Sequence, residues 1–294
     1  MPFRKVTLLG VGLLGGSLGL ALRQRQLATE VWGVVRRADV IEDALAAGVV
    51  DRATTQIGEA VRDAELLVLC VPVGSMQALA EAIRPHLRSG AVVTDVGSVK
   101  ETLVAQVEPL VEAAGGWFVG SHPMAGSEKT GFAAAQPDLF SRALCVVTPT
   151  PRTHRQALDV VEQLWRSVGA TVLKLSPGQH DELVGRASHL PHVVAAGLAN
   201  YVLSPAHAPT GNSLCAGGFR DTTRIASSSP ELWRDIALAN RQNLARALGV
   251  LVGDLEEFRR SLLEGDAEAV GDFFASAKRR RDMWVARHHT PSGE

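Results

Sequence analysis

An excess of charge of either sign is what this 294-residue sequence most plainly lacks, since 30 lysines and arginines face 31 acidic residues. That balance argues against a protein that holds nucleic acid by neutralising phosphates. The one basic run, Lys278-Arg279-Arg280-Arg281, reads as a solvated helix end. Cysteine is scarce too, at three residues. Cys70 and Cys145 sit in apolar runs, LLVLCVPV and ALCVVTP, that look like buried strands, so reduced structural thiols in a cytoplasmic protein are expected. A membrane span is missing as well. MPFRK followed by VTLLGVGLLGGSLGLAL imitates a signal peptide, but Gly10, Gly12, Gly15, Gly16 and Gly19 would weaken a continuous helix, and no other run approaches a span. There is no internal repeat and no HExxH. His189 and His192 lack a convincing third ligand, so no metal site is expected.

What is present is 46% hydrophobic and 21% charged, the balance of a globular protein with room for two domains. From residue 5 to about 175, β-rich runs alternate with helix-like stretches. KVTLLG, EVWGVV, ELLVLCV, AVVTDV, WFVGSHP and ALCVVTP read as strands, and 14–25, 75–87, 99–113 and 153–167 as helices between them. Continuous apolar strands spaced by helices predict a parallel sheet covered on both faces, a doubly wound, Rossmann-like α/β domain over 1–175. At Ser176 the texture changes. SerProGly offers an N-cap and a first-turn proline, and 176–294 reads as all-α. Its segments HVVAAGLANYVL and NLARALGVLVGDLEEF carry more apolar surface than a thin helical layer needs, so a homodimer through this domain is expected. The tail HHTPSGE reads as loose.

KVTLLG runs into Gly10-Val11-Gly12-Leu13-Leu14-Gly15 and then into a helix, the strand–turn–helix context that gives GxGxxG its meaning. The first glycine permits the turn, the second lets backbone amides, those of Leu13 and Leu14 included, approach a pyrophosphate, and the third allows close helix packing. Val71 and Pro72, at the end of the run ELLVLCVP, are expected beside the same dinucleotide. An acid would normally meet the adenosine ribose about 20 positions beyond the turn, and Val35 stands there instead. Arg36 and Arg37 follow it. Two guanidinium groups suit a 2′-phosphate, so NADP is favoured over NAD, against the competing reading of two solvated arginines at a strand end.

Two further strand ends carry chemistry, TDVGSVKET at 94–102 and GSHPMAGSEKTG at 120–131. Ligands of an open α/β sheet bind at such ends, which puts Ser98 and His122 beside the nicotinamide, with His122 the group for proton work. In GGFRDTTRIA, Arg220 and Arg224 lie four apart. They could share a helix face that binds carboxylates, or pair with Asp221 or Glu231.

Together GVGLLGGS, TDVGSVK, GSHPMAGSEKTG, SHLPHVVA, GGFRDTTRIA and PELWRDIALAN resemble the prephenate/arogenate dehydrogenases of tyrosine biosynthesis, along nearly the whole chain. The resemblance implies a dinucleotide domain, a helical dimerisation domain, and oxidative decarboxylation of prephenate or arogenate. It implies that His122 bonds the ring hydroxyl with Ser98 beside it, that Arg224 holds a substrate carboxylate, that His192 and Arg220 lie near the substrate side chain, and that Ser127 and Glu128 belong to a closing loop. Many NAD-using members carry an acid where this chain has Val35. The length leaves no room for an appended mutase or regulatory domain, so feedback by tyrosine would act at or near the active site. The rivals are a β-hydroxyacid or imine reductase and a non-catalytic NADP-binding scaffold.

Overall fold

The computed structural model describes residues 2–126, 129–205 and 213–288. Its centre is an eight-stranded sheet of β1 (Phe3–Leu9), β2 (Ala28–Val34), β3 (Arg52–Thr54), β4 (Leu66–Leu69), β5 (Val92–Asp95), β6 (Trp117–Pro123), β7 (Leu144–Thr148) and β8 (Thr171–Lys174), in the spatial order 3-2-1-4-5-6-7-8. The inner strands bury side chains on both faces, and the two-residue period sorts them. Val6 and Leu8 of β1 join Leu66 and Val68 of β4 in one buried cluster, while Leu9 joins Leu67 and Leu69 in the other. Helices α1 (Leu13–Gln24) and α6 (Arg155–Ser167) cover the first face. The helices α4 (Val73–Ile83) and α5 (Glu101–Glu112) cover the second, and the short α2 (Ile41–Ala46) and α3 (Ile57–Val61) complete the layers.

Strands β1 to β6 are parallel, and the direction of winding changes between β1 and β4. A crevice therefore opens beyond the carboxyl ends of those two strands, where the loops diverge. The expectation of a parallel sheet fails at β7, which runs antiparallel to β6. Between them the chain forms only one short 3₁₀ turn, Phe132–Ala134, among the described residues, so it lacks a crossover helix to carry it back to the starting end. Strands β3 and β8 were not foreseen either, being three and four residues long at the sheet edges, with β8 mostly exposed.

After the sheet come α7 (Pro177–Val184), a π-helical turn Gly185–His189, α8 (Leu190–Val202), α9 (Gly217–Thr223), α10 (Pro230–Ala239), α11 (Arg241–Glu264) and α12 (Ala267–His288). The start of α7 is a complete capping box: Gln179 N donates to Ser176 Oγ at 3.3 Å and Ser176 N donates to Gln179 Oε1 at 3.0 Å. The chain divides into compact units at 1–244 and 245–294, later than the change of texture at Ser176. Hydrogen bonds explain the difference. Lys100 N and Glu101 N, at the start of α5, donate to the Asp181 carboxylate of α7 at 2.7 and 2.9 Å, and Asn240 Nδ2 donates to Asp181 O at 2.8 Å. The helix α7 is thereby fastened to α5 on the sheet's second face, and the end of α10 to α7.

The second unit is built differently. Phe258, Phe273 and Phe274 cluster, with Phe258 and Phe273 ring centres 4.4 Å apart. Val250, Leu255, Leu262, Leu263, Phe274 and Trp284 remain exposed. No helix among the described residues is long and apolar enough to cross a membrane.

Candidate active site

Gly10 has φ +108°, and a Cβ there would lie 2.6 Å from Cys70 O, in the neighbouring strand-end loop. A Cβ on Gly15 would collide with Gly10 O. Both positions require glycine by contact within the protein. Gly12 differs, since a Cβ there would meet nothing within 4 Å. It is the N-cap of α1, the helix has no side-chain cap and no acid in its first turn, and Gly12, Leu13 and Leu14 line an open cavity. Backbone amides at a bare helix N-terminus over open space fit the pyrophosphate of a dinucleotide. The cavity measures about 620 Å³ and also takes in Val71, Pro72, Ser98, His122, His192 and Arg224.

His122 is the last residue but one of β6 and is 8% exposed. Its Nδ1 lies 2.8 Å from His180 Nε2, and His180 Nδ1 lies 2.7 Å from Asp181 Oδ1. Burial, followed by the nearness of His180, Lys100 and His189, holds the His122 imidazole well below its ordinary pKa. Below β6 is a second anchor. The Asp95 carboxylate pairs with the Lys100 ammonium, both wholly buried, and accepts from Ser121 N at 3.0 Å and Gly97 N at 2.8 Å. Lys100 Nζ also donates to Ser121 O at 3.0 Å. The loop that carries Ser98 is thus stapled to the strand that carries His122. Burial pulls the Lys100 pKa down while Asp95 opposes the shift.

The π-helical turn separates the two histidines of SHLPHVVA. His189 is fully buried, with Nδ1 3.1 Å from Asn240 Nδ2, and burial lowers its pKa to about 4. His192 reaches the cavity, donates from Nδ1 to Ser188 O at 3.0 Å, and stacks on Trp233 with ring centres 3.7 Å apart. An extra residue in a helical turn commonly marks such re-aiming.

Arg224 and Arg220 also part company. The helix α9 stops at Thr223, Arg224 opens a 3₁₀ turn into the cavity, and Arg220 is exposed outside it. Arg36 and Arg37 are exposed and line no part of the cavity, with Val35 buried beside them. Arg37 is held by Asp39 through two contacts of 3.1 Å. Ser127 and Glu128 lie outside the described residues, although Ala125, Gly126, Lys129, Thr130 and Gly131 on either side line the cavity.

Asp95, Lys100, His180, Asp181 and Asn240 went unnoticed in the sequence. An acid and a lysine five apart after an apolar strand, in TDVGSVK, was the available signal for the first two. Nothing in QHDEL distinguishes His180 and Asp181 from a solvated helix start.

The chain is 34% identical to prephenate dehydrogenase of Bacillus subtilis over 279 residues, 94% of this chain and 75% of that protein. It superposes on the Aquifex aeolicus prephenate dehydrogenase solved with hydroxyphenyl propionate and NAD+ at a TM-score of 0.89, with 31% identity over 96% of this chain and 99% of that one. The Synechocystis arogenate dehydrogenase gives a TM-score of 0.81 at 29% identity, over 96% of this chain and all of that one. Residues 18–174 match the model of the prephenate dehydrogenase nucleotide-binding domain and residues 176–276 that of the prephenate dehydrogenase dimerization domain, so the chain belongs to the prephenate dehydrogenase family.

Proposed function

We propose that this chain oxidises and decarboxylates prephenate or arogenate in tyrosine biosynthesis, with His122 as the base and NADP as the preferred oxidant. The observation that carries the reading is a buried imidazole whose Nδ1 is engaged, in one cavity with a bare helix N-terminus, Ser98 and an arginine. When bound, the nicotinamide accepts a hydride from C4 of the cyclohexadienyl ring. His122 takes the C4 hydroxyl proton through Nε2, and Ser98 holds the same oxygen. A base of low pKa is adequate there, because the hydroxyl becomes strongly acidic as the hydride leaves its carbon. Loss of the C1 carboxylate as CO2 then makes the ring aromatic. Arg224 orients a substrate carboxylate, and His192 and Trp233 border the side chain. The protein's contribution is placement and electrostatics.

Residues 1–175 supply the dinucleotide site in this reading, while 176–294 supply substrate contacts and the face of a homodimer. Exposed apolar side chains along the last two helices support that pairing. Arg220 acts from outside the cavity. Val35, Arg36 and Arg37 favour NADP, for which we expect a kcat/KM about tenfold to a few hundredfold above that with NAD. A cytoplasmic location goes with reduced thiols, consistent with Cys145 buried and its pKa pushed up.

Formation of NADPH and NADH is to be followed with prephenate and with arogenate in parallel. Turnover of either substrate supports the reaction, and failure with both rejects it in favour of a reductase or a scaffold. Equal or better kcat/KM with NAD rejects the cofactor assignment alone.

A further inference from the structure

We propose that His180 and Asp181 are positioning residues that fix His122 in the one tautomer able to act as a base. This rests on the reading of His122 as the base.

Only one arrangement of protons satisfies the buried chain. The Asp181 carboxylate accepts hydrogen bonds and cannot donate. Its Oδ1 takes the Lys100 amide at 2.7 Å and its Oδ2 the Glu101 amide at 2.9 Å, two donors at the N-terminus of the twelve-residue α5, whose field favours negative charge. The third partner, His180 Nδ1 at 2.7 Å, must therefore carry a proton. Burial lowers the pKa of His180 and outweighs the opposing effect of Asp181, so its ring is neutral and Nε2 keeps a lone pair. His122 Nδ1, 2.8 Å away, then has to be the donor. That leaves the lone pair of His122 on Nε2, the nitrogen not committed to the interior. Polarity runs one way along the chain, from carboxylate to base.

The remaining charged and titratable neighbours do not reverse this order. Lys100 Nζ is committed to Asp95 and Ser121 O. His189 takes a hydrogen bond from Asn240 on Nδ1, and its Nε2 has no hydrogen bond of good geometry. When His122 takes the substrate proton it becomes an imidazolium, and the Asp181 carboxylate stabilises that charge through the intervening ring. No bond other than those to the transferred proton forms or breaks. The same relation between carboxylate and imidazole operates here through a second imidazole, which lets a carboxylate fixed at one helix start act on a base at a strand end.

The test is Asp181→Ala, with the His122 tautomer read by 15N-labelled imidazole correlation spectra and with steady-state kinetics on the same protein. With no acceptor facing His180 Nδ1, nothing sets the order of protons along the two rings. The expected result is a His122 that populates the Nε2–H tautomer and a kcat lower by more than about a hundredfold, with KM for substrate and cofactor changed less than about threefold. A His122 that stays wholly in the Nδ1–H form overturns the proposal. Loss of the single tautomer without loss of turnover upholds the positioning role and removes His122 as the base, so the two readings fail separately. If the variant does not fold, His180→Gln and His180→Leu decide. Glutamine can accept from His122 Nδ1 and donate to Asp181, so it should keep turnover within about tenfold of the wild type while leucine loses more than about a hundredfold. Equal losses in the two variants overturn the assignment.

Discussion

His122 and the Arg36–Arg37 pair stand at the carboxyl ends of two strands of one sheet, and the protein holds them in opposite ways. His122 is buried and tied through His180 to Asp181. Arg36 makes no hydrogen bond or ion pair among the described residues, and Arg37 meets only its near neighbour Asp39, with 70% of its side chain exposed. The contrast fits the work proposed for each. A base must present one nitrogen within hydrogen-bonding reach of one proton, so its geometry is set before substrate arrives. A phosphate has several equivalent oxygens, and long side chains can close on it after it binds. Rigidity is found where the chemistry is directional.

The sharpest way to break this comparison is at its rigid end. His122→Asn should lower kcat by about 10²–10⁴-fold with a smaller change in KM, because asparagine can bond the hydroxyl but cannot take its proton. Steady-state kinetics with the preferred substrate check it, and turnover close to normal would remove His122 from the mechanism. The pH profile carries a second sign. Since the folded pKa of His122 is depressed, the base stays competent as pH falls through 6.5, and kcat/KM should decline only well below that point. An acid limb centred near 6.5 would mean that the imidazole is not buried as described.

Next comes the anchor beneath it. Lys100→Met leaves the Asp95 carboxylate buried without its partner, a defect that typically costs about 3–5 kcal/mol. Thermal or urea unfolding at neutral pH reads the loss directly. Combining Lys100→Met with Asp95→Asn should recover part of it, and failure to recover would show that Lys100 acts through some contact other than this pair.

Arg224→Ala tests the intermediate case, an arginine that is exposed yet opens into the cavity. Loss of a charge-assisted hydrogen bond to a substrate carboxylate is worth about 1.5–3 kcal/mol, which should raise KM for substrate by one to two orders of magnitude and leave the cofactor's unchanged. Unaltered KM for both candidate substrates would sink the assignment.

How far the sequence revealed these parts depended on whether their causes were local. The inner strands were legible because short runs rich in apolar residues, bounded by glycine or polar turns, admit few other structures. Ser98 and His122 were legible as polar groups at the ends of such strands. The direction of β7 was not, because it depends on there being no crossover helix among the described residues between 124 and 143. His180 and Asp181 were hidden for another reason: their partners lie 58 and 81 residues away, and only the folded chain brings them together. Arg220 and Arg224 show the limit of helical spacing, since four residues mark a common face only while the helix continues, and α9 ends between them.

The smallest effect probes the adaptable end. Asp39 holds Arg37 in place but is itself an anion beside the position proposed for the 2′-phosphate, with 66% of its side chain exposed. Its pair with Arg37 is a surface contact of the kind that contributes about 0–1 kcal/mol, so little stability depends on it. When NADP binds, Arg37 must leave Asp39 or share itself between carboxylate and phosphate, and the carboxylate repels the incoming charge across a screened surface. Asp39→Asn removes the competition and the repulsion while keeping the side chain's shape. The expected result is a KM for NADP lower by about two- to fivefold, a shift of under about 1 kcal/mol, with no change in the KM for NAD, which lacks the phosphate. Repeating the measurement at high salt should shrink the gain, since both terms are exposed electrostatics. A variant that improves NAD and NADP alike would show that Asp39 acts on something the two cofactors share, and a variant that weakens NADP would show that Asp39 positions Arg37 for the phosphate instead of withholding it.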